Sequence, residues 1–119
     1  MDAQRVVIAL GAIAHDHRLA IYRMLVEAGP QGLPAGVLAT RLEMPPSTLS
    51  FHLRQMLHAG LVTQRRLSRQ LIYAADFTTM NGLVSYLTEN CCGGAACAPA
   101  RDPAVAATNV KGRKQRRSA

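Results

Sequence analysis

Tryptophan is absent, and only five of the 119 residues are aromatic. A core must therefore be built from aliphatic side chains, which points to a mostly helical fold. Cysteine is as scarce: three in all, every one between positions 91 and 97. So few exclude a disulfide-stapled secreted scaffold and fit thiols in a reducing cytoplasm. Lysine does not occur before position 111. Residues 1–97 carry eight arginines against six acids, a net +2, and residues 98–119 carry six basic residues against one acid, a net +5. The body is thus nearly neutral, and its charge alone is weak evidence for a nucleic-acid partner. No apolar run approaches the ~20 residues of a membrane helix, so no membrane role is expected. The run Val6–Ala14 is too short, follows Asp2 and has one basic residue ahead of it, which argues against a secretion signal.

What is present is one domain's worth of chain, 49 % apolar, organised around LATRLEMPPSTLSFHLRQMLHAGLV, residues 38–62. Leu38, Leu42, Leu49, Leu53, Met56 and Leu57 recur at three- and four-residue steps and form one buried stripe. Glu43-Met44-Pro45-Pro46 interrupts it, because a residue before proline is pushed out of the helical region. The second proline suits the first position of a new helix. The pattern is a helix-turn-helix whose recognition helix spans about Pro46 to Ala59. Ser47, Thr48, Ser50, His52, Arg54 and Gln55 fall on or near its outer side, where such side chains read base edges and phosphates.

Upstream, residues 3–14 predict a helix so apolar that it wants a partner beyond its own domain. Asp16 to Ala28 predicts a second helix, burying Leu19, Tyr22, Leu25 and Val26 and ending at Gly29-Pro30. The trio His15-Asp16-His17 invites a metal reading. Residues two apart diverge on a helix, so a shared ion would need non-helical backbone, and a capping, solvated role is preferred. Gln31 to Pro34 reads as a turn. Downstream of Gly60 the period changes: Val62–Leu67 and Gln70–Ala74 read as a β-hairpin about Ser68-Arg69. Arg65, Arg66 and Arg69 cluster on it, where a hairpin behind a recognition helix is a wing placed on the DNA backbone. Thr78 to Asn90 predicts a last helix with the stripe Met80, Leu83, Val84 and Leu87, Gly82 leaving room for a neighbouring helix. The first and last helices are expected to form a homodimer seam through Val6, Leu10, Ile13, Leu83, Val84 and Leu87. The expected architecture is mainly α with a small β-hairpin, in the order α-α-α-α-β-β-α. Residues 1–97 form the domain with its cysteine site, and residues 98–119 a disordered basic tail that can add non-specific DNA affinity.

IAHDHRLAIYRMLVEAG, VLATRLEMPPSTLSFHLRQMLHAGLVTQRR and LIYAA together resemble the ArsR/SmtB family of metal-responsive repressors, over about Val7 to Cys97. The resemblance implies a homodimeric winged-helix repressor of double-stranded operator DNA, released by a toxic metal or metalloid and needing no organic cofactor. It also places Ser47, Thr48, Ser50, His52 and Arg54 on the face toward DNA. The chain departs from the family in having Asp16 where many members have proline. It also lacks both a C-V-C-D-L-type cysteine pair at the motif and the acid-and-histidine zinc site of the last helix.

What remains is Cys91-Cys92-x4-Cys97, just past the last helix. Neighbouring helical residues diverge by about 100°, so Cys91 and Cys92 can converge only where the helix has ended, and Asn90 and Gly93-Gly94 allow that. Three thiolates without an evident fourth ligand suit trivalent arsenic or antimony, whereas tetrahedral zinc wants another donor. The arrangement resembles the C-terminal triads of some arsenite-responsive family members. A thiol redox sensor could use the same cysteines. So could a zinc or cadmium sensor that recruits His15, His17 or a partner subunit. An enzyme is not expected, since neither C-x-x-C nor a basic glycine-rich loop surrounds the cysteines.

Overall fold

The computed structural model describes residues 1–94. They fall into two units, Met1–Leu87 and a second that begins at Thr88. The first unit is a winged helix-turn-helix. In chain order it consists of α1 (Ala3–Ile13), α2 (Asp16–Ala28), β1 (Leu33–Pro34), α3 (Ala35–Leu42), α4 (Pro46–His58), β2 (Val62–Leu67), β3 (Gln70–Ala75) and α5 (Phe77–Leu87).

Three helices begin where a side chain accepts from a first-turn amide and one where proline removes an amide, while α3 follows Pro34 with no side-chain cap. Asp2 accepts from the Arg5 amide at α1, His15 Nδ1 from the His17 amide at α2, and Asp76 from the Thr79 amide at α5. Pro46 opens α4, where no amide is missed. Between α3 and α4 the bend is made by Glu43 in the left-handed conformation, φ 52°, followed by Met44-Pro45. Helix α5 starts one residue earlier and ends three residues sooner than its apolar pattern implies; Asn90, at φ 56°, supplies a left-handed turn beyond its end.

The core is aliphatic. Ile21, Leu25, Leu38, Leu49, Leu53, Met56 and Leu61 are its largest fully buried side chains, contributed by α2, both helices of the motif, and the approach to β2. On α2 the buried side chain is Ile21, whereas Leu19 is 49 % exposed. The face of α2 is set by Ile21, Tyr22 and Leu25, and Leu19 lies off that stripe. Among the described residues, a Cβ at Gly82 would meet the Met1 side chain, at an ordinary 3.5 Å.

β2 and β3 pair antiparallel from Val62↔Ala75 to Leu67↔Gln70, and Ser68-Arg69 forms the loop. The sheet has a third strand that periodicity misses. Leu33 and Pro34, read as a turn, pair with Tyr73 and Ile72, giving the order β1-β3-β2. Gly32 leads into this strand at φ +72°, and a Cβ there would collide with the Tyr73 carbonyl, so only glycine fits.

Candidate nucleic-acid interface

Helix α4 buries Leu49, Leu53 and Met56, which turns the opposite side outward. Ser47, Ser50, Arg54 and Gln55 are exposed there, and Thr48 is half-buried. Ser47, Ser50 and Arg54 recur at three- and four-residue steps and so share one face. Phe51 shares it too, at 48 % exposed. Its spacing from Ser47 and Arg54 places it outward. An exposed phenyl ring on a recognition helix can meet a thymine methyl.

His52 corrects the sequence reading. It is only 5 % exposed, because it lies three residues after Leu49 and four before Met56, on the edge of the buried stripe. Its ring turns away from the outer face toward the start of α2. There Arg18 Nε donates to His52 Nδ1 at 3.2 Å, and His52 Nε2 lies 3.4 Å from His17 Nδ1. The His15 ring packs 4.8 Å from the His52 ring, centre to centre. Burial, then the charges of His15, Arg18 and His17, hold the His52 pKa below its ordinary 6.5. The His15-Asp16-His17 trio is therefore a cap, as its sequence implies, and also packs against a third imidazole that no local pattern announces.

On the wing, Arg65, Arg66 and Arg69 are all exposed. They are not equivalent. Arg65 donates to the Gln31 carbonyl at 3.0 Å and ties the wing to the loop ahead of β1. Neither Arg66 nor Arg69 sits opposite an acidic residue on the hairpin, their cross-strand register placing Leu71 beside Arg66 and Arg69 in the loop itself.

The expected seam residues divide. Val6 and Leu83 are buried within the chain at 4 % and 9 % exposed, so little of either is left for a partner to cover. Ile13 is half-buried. Leu10, Val84 and Leu87 are exposed, and Val7 and Ile8 join them on α1. Six α1 residues from Val6 to Gly11 are nearly all apolar, so one part of the helix faces inward while another remains outward.

In the second unit, Cys91–Gly94 form a single 3₁₀ turn, with Cys92 and Gly93 both at positive φ. This backbone brings Cys91 Sγ and Cys92 Sγ to 3.7 Å, a convergence that α-helical neighbours could not reach. Cys92 is disulfide-bonded, where the sequence reading expects thiols. Cys97 and the basic tail at 98–119 lie outside the described residues.

A buried helix-turn-helix, an exposed polar face on its second helix and an arginine-bearing hairpin behind it define a winged helix-turn-helix transcriptional regulator. Residues 13–65 match the family model described as a helix-turn-helix domain. The transcriptional activator HlyU of Vibrio cholerae is 31 % identical over 86 residues, 72 % of this chain and 77 % of that protein. The solved structure of HlyU from Vibrio cholerae superposes with a TM-score of 0.61, over 77 % of this chain and 99 % of that one, at 31 % identity. Its reduced form gives 0.60, over 76 % and 92 %, at the same identity. An ArsR-like transcriptional regulator from Rhodococcus gives 0.63 at 25 % identity, over 71 % and 76 %. The homodimeric winged helix-turn-helix DNA-binding domain of Mb0332 from Mycobacterium bovis shares the fold, with a TM-score of 0.58 at 24 % identity, over 73 % and 81 %. The chain belongs to the ArsR/SmtB family of transcriptional regulators, and its relatives are regulators, not enzymes.

Proposed function

We propose that this chain is a cytoplasmic, homodimeric repressor of operator DNA that lets go when trivalent arsenic, or antimony, binds Cys91, Cys92 and Cys97. Ser47, Thr48, Ser50, Arg54 and Gln55 would meet base edges and phosphates, with Arg66 and Arg69 on the flanking backbone. Dimerisation would use the outward apolar side chains Val7, Leu10, Val84 and Leu87, and Mb0332, of the same fold, is homodimeric.

The observation that supports the arsenic reading is the convergence of the Cys91 and Cys92 sulfurs to 3.7 Å on left-handed backbone, in a form in which Cys92 is disulfide-bonded and must first be reduced. A soft, three-coordinate ion matches three thiols and needs no fourth donor. In the reduced chain each thiol would give up its proton as an As–S bond forms, and the three hydroxyls of arsenous acid would leave as three waters. The cysteine segment follows α5 directly in the chain, and α5 carries part of the outward apolar face. Metalloid binding there would bias the dimer and so the spacing of its two recognition helices, which must reach major grooves about 34 Å apart. A coupling of about 1–3 kcal/mol would weaken operator binding roughly 5- to 150-fold.

A second reading has its own support. Cys92 is disulfide-bonded here, and HlyU has been solved in a form designated reduced, so the same cysteines could report thiol oxidation. One experiment separates the two. Reduced full-length protein on a duplex selected in vitro is challenged with arsenite, antimonite, zinc, cadmium and peroxide. Release by arsenite or antimonite in the presence of excess reductant supports the metalloid reading. Release by peroxide alone supports the redox one.

A further inference from the structure

Outside the cysteine segment, one cluster of metal-ligating side chains stands out among the described residues. Ring nitrogens of His15, His17 and His52 all lie within 4.8 Å of one another. They come from distant parts of the chain: the cap of α2, its first turn, and the middle of the recognition helix. His15 holds an extended backbone, φ −161° and ψ 132°. This is the non-helical geometry that lets it face the same way as His17, whose ring centre lies 5.5 Å away.

The spacing suits one ion. Two imidazole nitrogens at about 2.05 Å from a tetrahedral zinc are ~3.4 Å apart. His17 Nδ1 and His52 Nε2 already stand at 3.4 Å. Closing the third nitrogen onto the same ion takes a side-chain adjustment of little more than an ångström, which exposed His15 makes at the expense of its contact with the His17 amide. Three neutral nitrogens and no thiolate or carboxylate suit Zn²⁺, Ni²⁺, Cu²⁺ or Co²⁺ far better than a soft trivalent metalloid. His15 and His17 are both exposed, so solvent can supply a fourth ligand.

We propose that His15, His17 and His52 form a second site, made of nitrogen donors alone, for a divalent transition-metal cation that clamps the recognition helix to the start of α2. This site is independent of the cysteine reading and uses none of its residues.

The hydrogen bonds at the cluster show what the ion must displace. Arg18 can only donate, so His52 Nδ1 accepts and its proton sits on Nε2, between the two histidine rings. A cation at Nε2 takes that proton's place. The proton returns to Nδ1, where it faces the Arg18 N–H, and the Arg18 contact opens. His15 Nδ1 accepts from the His17 amide at 3.1 Å. Binding at either of its ring nitrogens leaves one N–H, and a cation on Nε2 turns Nδ1 into a donor against that amide. The ion and the metal-free hydrogen bonds are therefore alternatives. This gives Arg18 an unusual sign: it opposes binding, so its removal should tighten the site.

The test uses the full-length chain with Cys91→Ser, Cys92→Ser and Cys97→Ser, which removes every thiolate. It is titrated with Co²⁺ in the visible and with Zn²⁺ by calorimetry. The expected result is one ion per chain, with cobalt d–d bands of nitrogen ligation and no near-ultraviolet thiolate band. His15→Ala and His17→Ala should each weaken binding at least tenfold, while Arg18→Gln should strengthen it up to about tenfold. His15 and His17 are exposed, so their removal leaves the core intact, and far-ultraviolet circular dichroism checks this. His52→Gln then completes the set if it folds. No bound ion, or binding unchanged in the His15→Ala/His17→Ala double variant, would overturn the proposal.

Discussion

Nε2 of His52, in the middle of the recognition helix, lies 3.4 Å from Nδ1 of His17 at the start of α2. The two residues are 35 positions apart, and their contact joins the DNA-reading helix to an element outside the motif. It also removes His52 from the exposed face that Ser47, Ser50 and Arg54 share.

The burial of His52 makes stability depend on pH. Burial and neighbouring positive groups hold the His52 pKa below its ordinary 6.5, so the folded chain favours the neutral ring. Below about pH 6.5 the unfolded chain binds this proton more readily than the folded one, so the contribution is present above that pH and is lost as pH falls toward the folded pKa. In the presence of a chelator, the melting temperature should drop on going from pH 7.5 to 5.5, and His52→Gln should drop less. Equal slopes for the two proteins would contradict the assignment.

Arginines on the wing and polar residues on α4 should behave differently in DNA binding. Replacing Arg66 or Arg69 by alanine should weaken all duplexes alike and flatten the salt slope by about 0.9 per lost phosphate contact. Arg65→Ala should in addition cost about 1 kcal/mol of stability, because its hydrogen bond to the Gln31 carbonyl is lost. Ser50→Ala, Phe51→Ala and Arg54→Ala should instead relax base preference. Salt titrations on selected and scrambled duplexes distinguish the two effects.

Two left-handed positions should respond with opposite signs. Glu43, at φ 52°, occupies a conformation that glycine adopts without strain. Glu43→Gly should leave stability unchanged or raise it by up to about 1 kcal/mol. Gly32→Ala should lower it by about 2 kcal/mol or more, since the added methyl meets the Tyr73 carbonyl as well as an unfavourable φ. Chemical denaturation reads both.

Most of this fold is legible in the sequence because its signals are local. The two prolines after Glu43, the aliphatic spacing from Leu38 to Leu57 and the change to period two after Gly60 place α3, α4 and the wing within a residue or two. What escapes is non-local. β1 is two residues long and contains proline, so nothing in its own pattern distinguishes a strand from a turn, and only pairing with Tyr73 and Ile72 creates it. His52 looks outward beside hydroxyl-bearing neighbours, yet its spacing from Leu49 and Met56 puts it at the core edge. Val6 and Leu83 fit a dimer seam by composition and are nonetheless used inside the chain. An apolar pattern shows that a face will be covered without showing by what.

The outward apolar side chains that remain should hold a dimer together. Leu10→Glu with Leu87→Glu should give a monomer at micromolar concentration by light scattering, with the melting temperature little changed because both side chains are exposed. A dimer that survives both charges would place the seam elsewhere.

The most direct test of the central claim is arsenite titration of the reduced protein on a fluorescent selected duplex, followed by anisotropy, beside the Cys91→Ser/Cys92→Ser/Cys97→Ser variant. The wild-type chain should lose at least fivefold in DNA affinity as arsenite saturates, while the variant binds the duplex equally well and does not respond. Release of the variant at the same arsenite concentration would contradict the account and place the sensing site away from the cysteines.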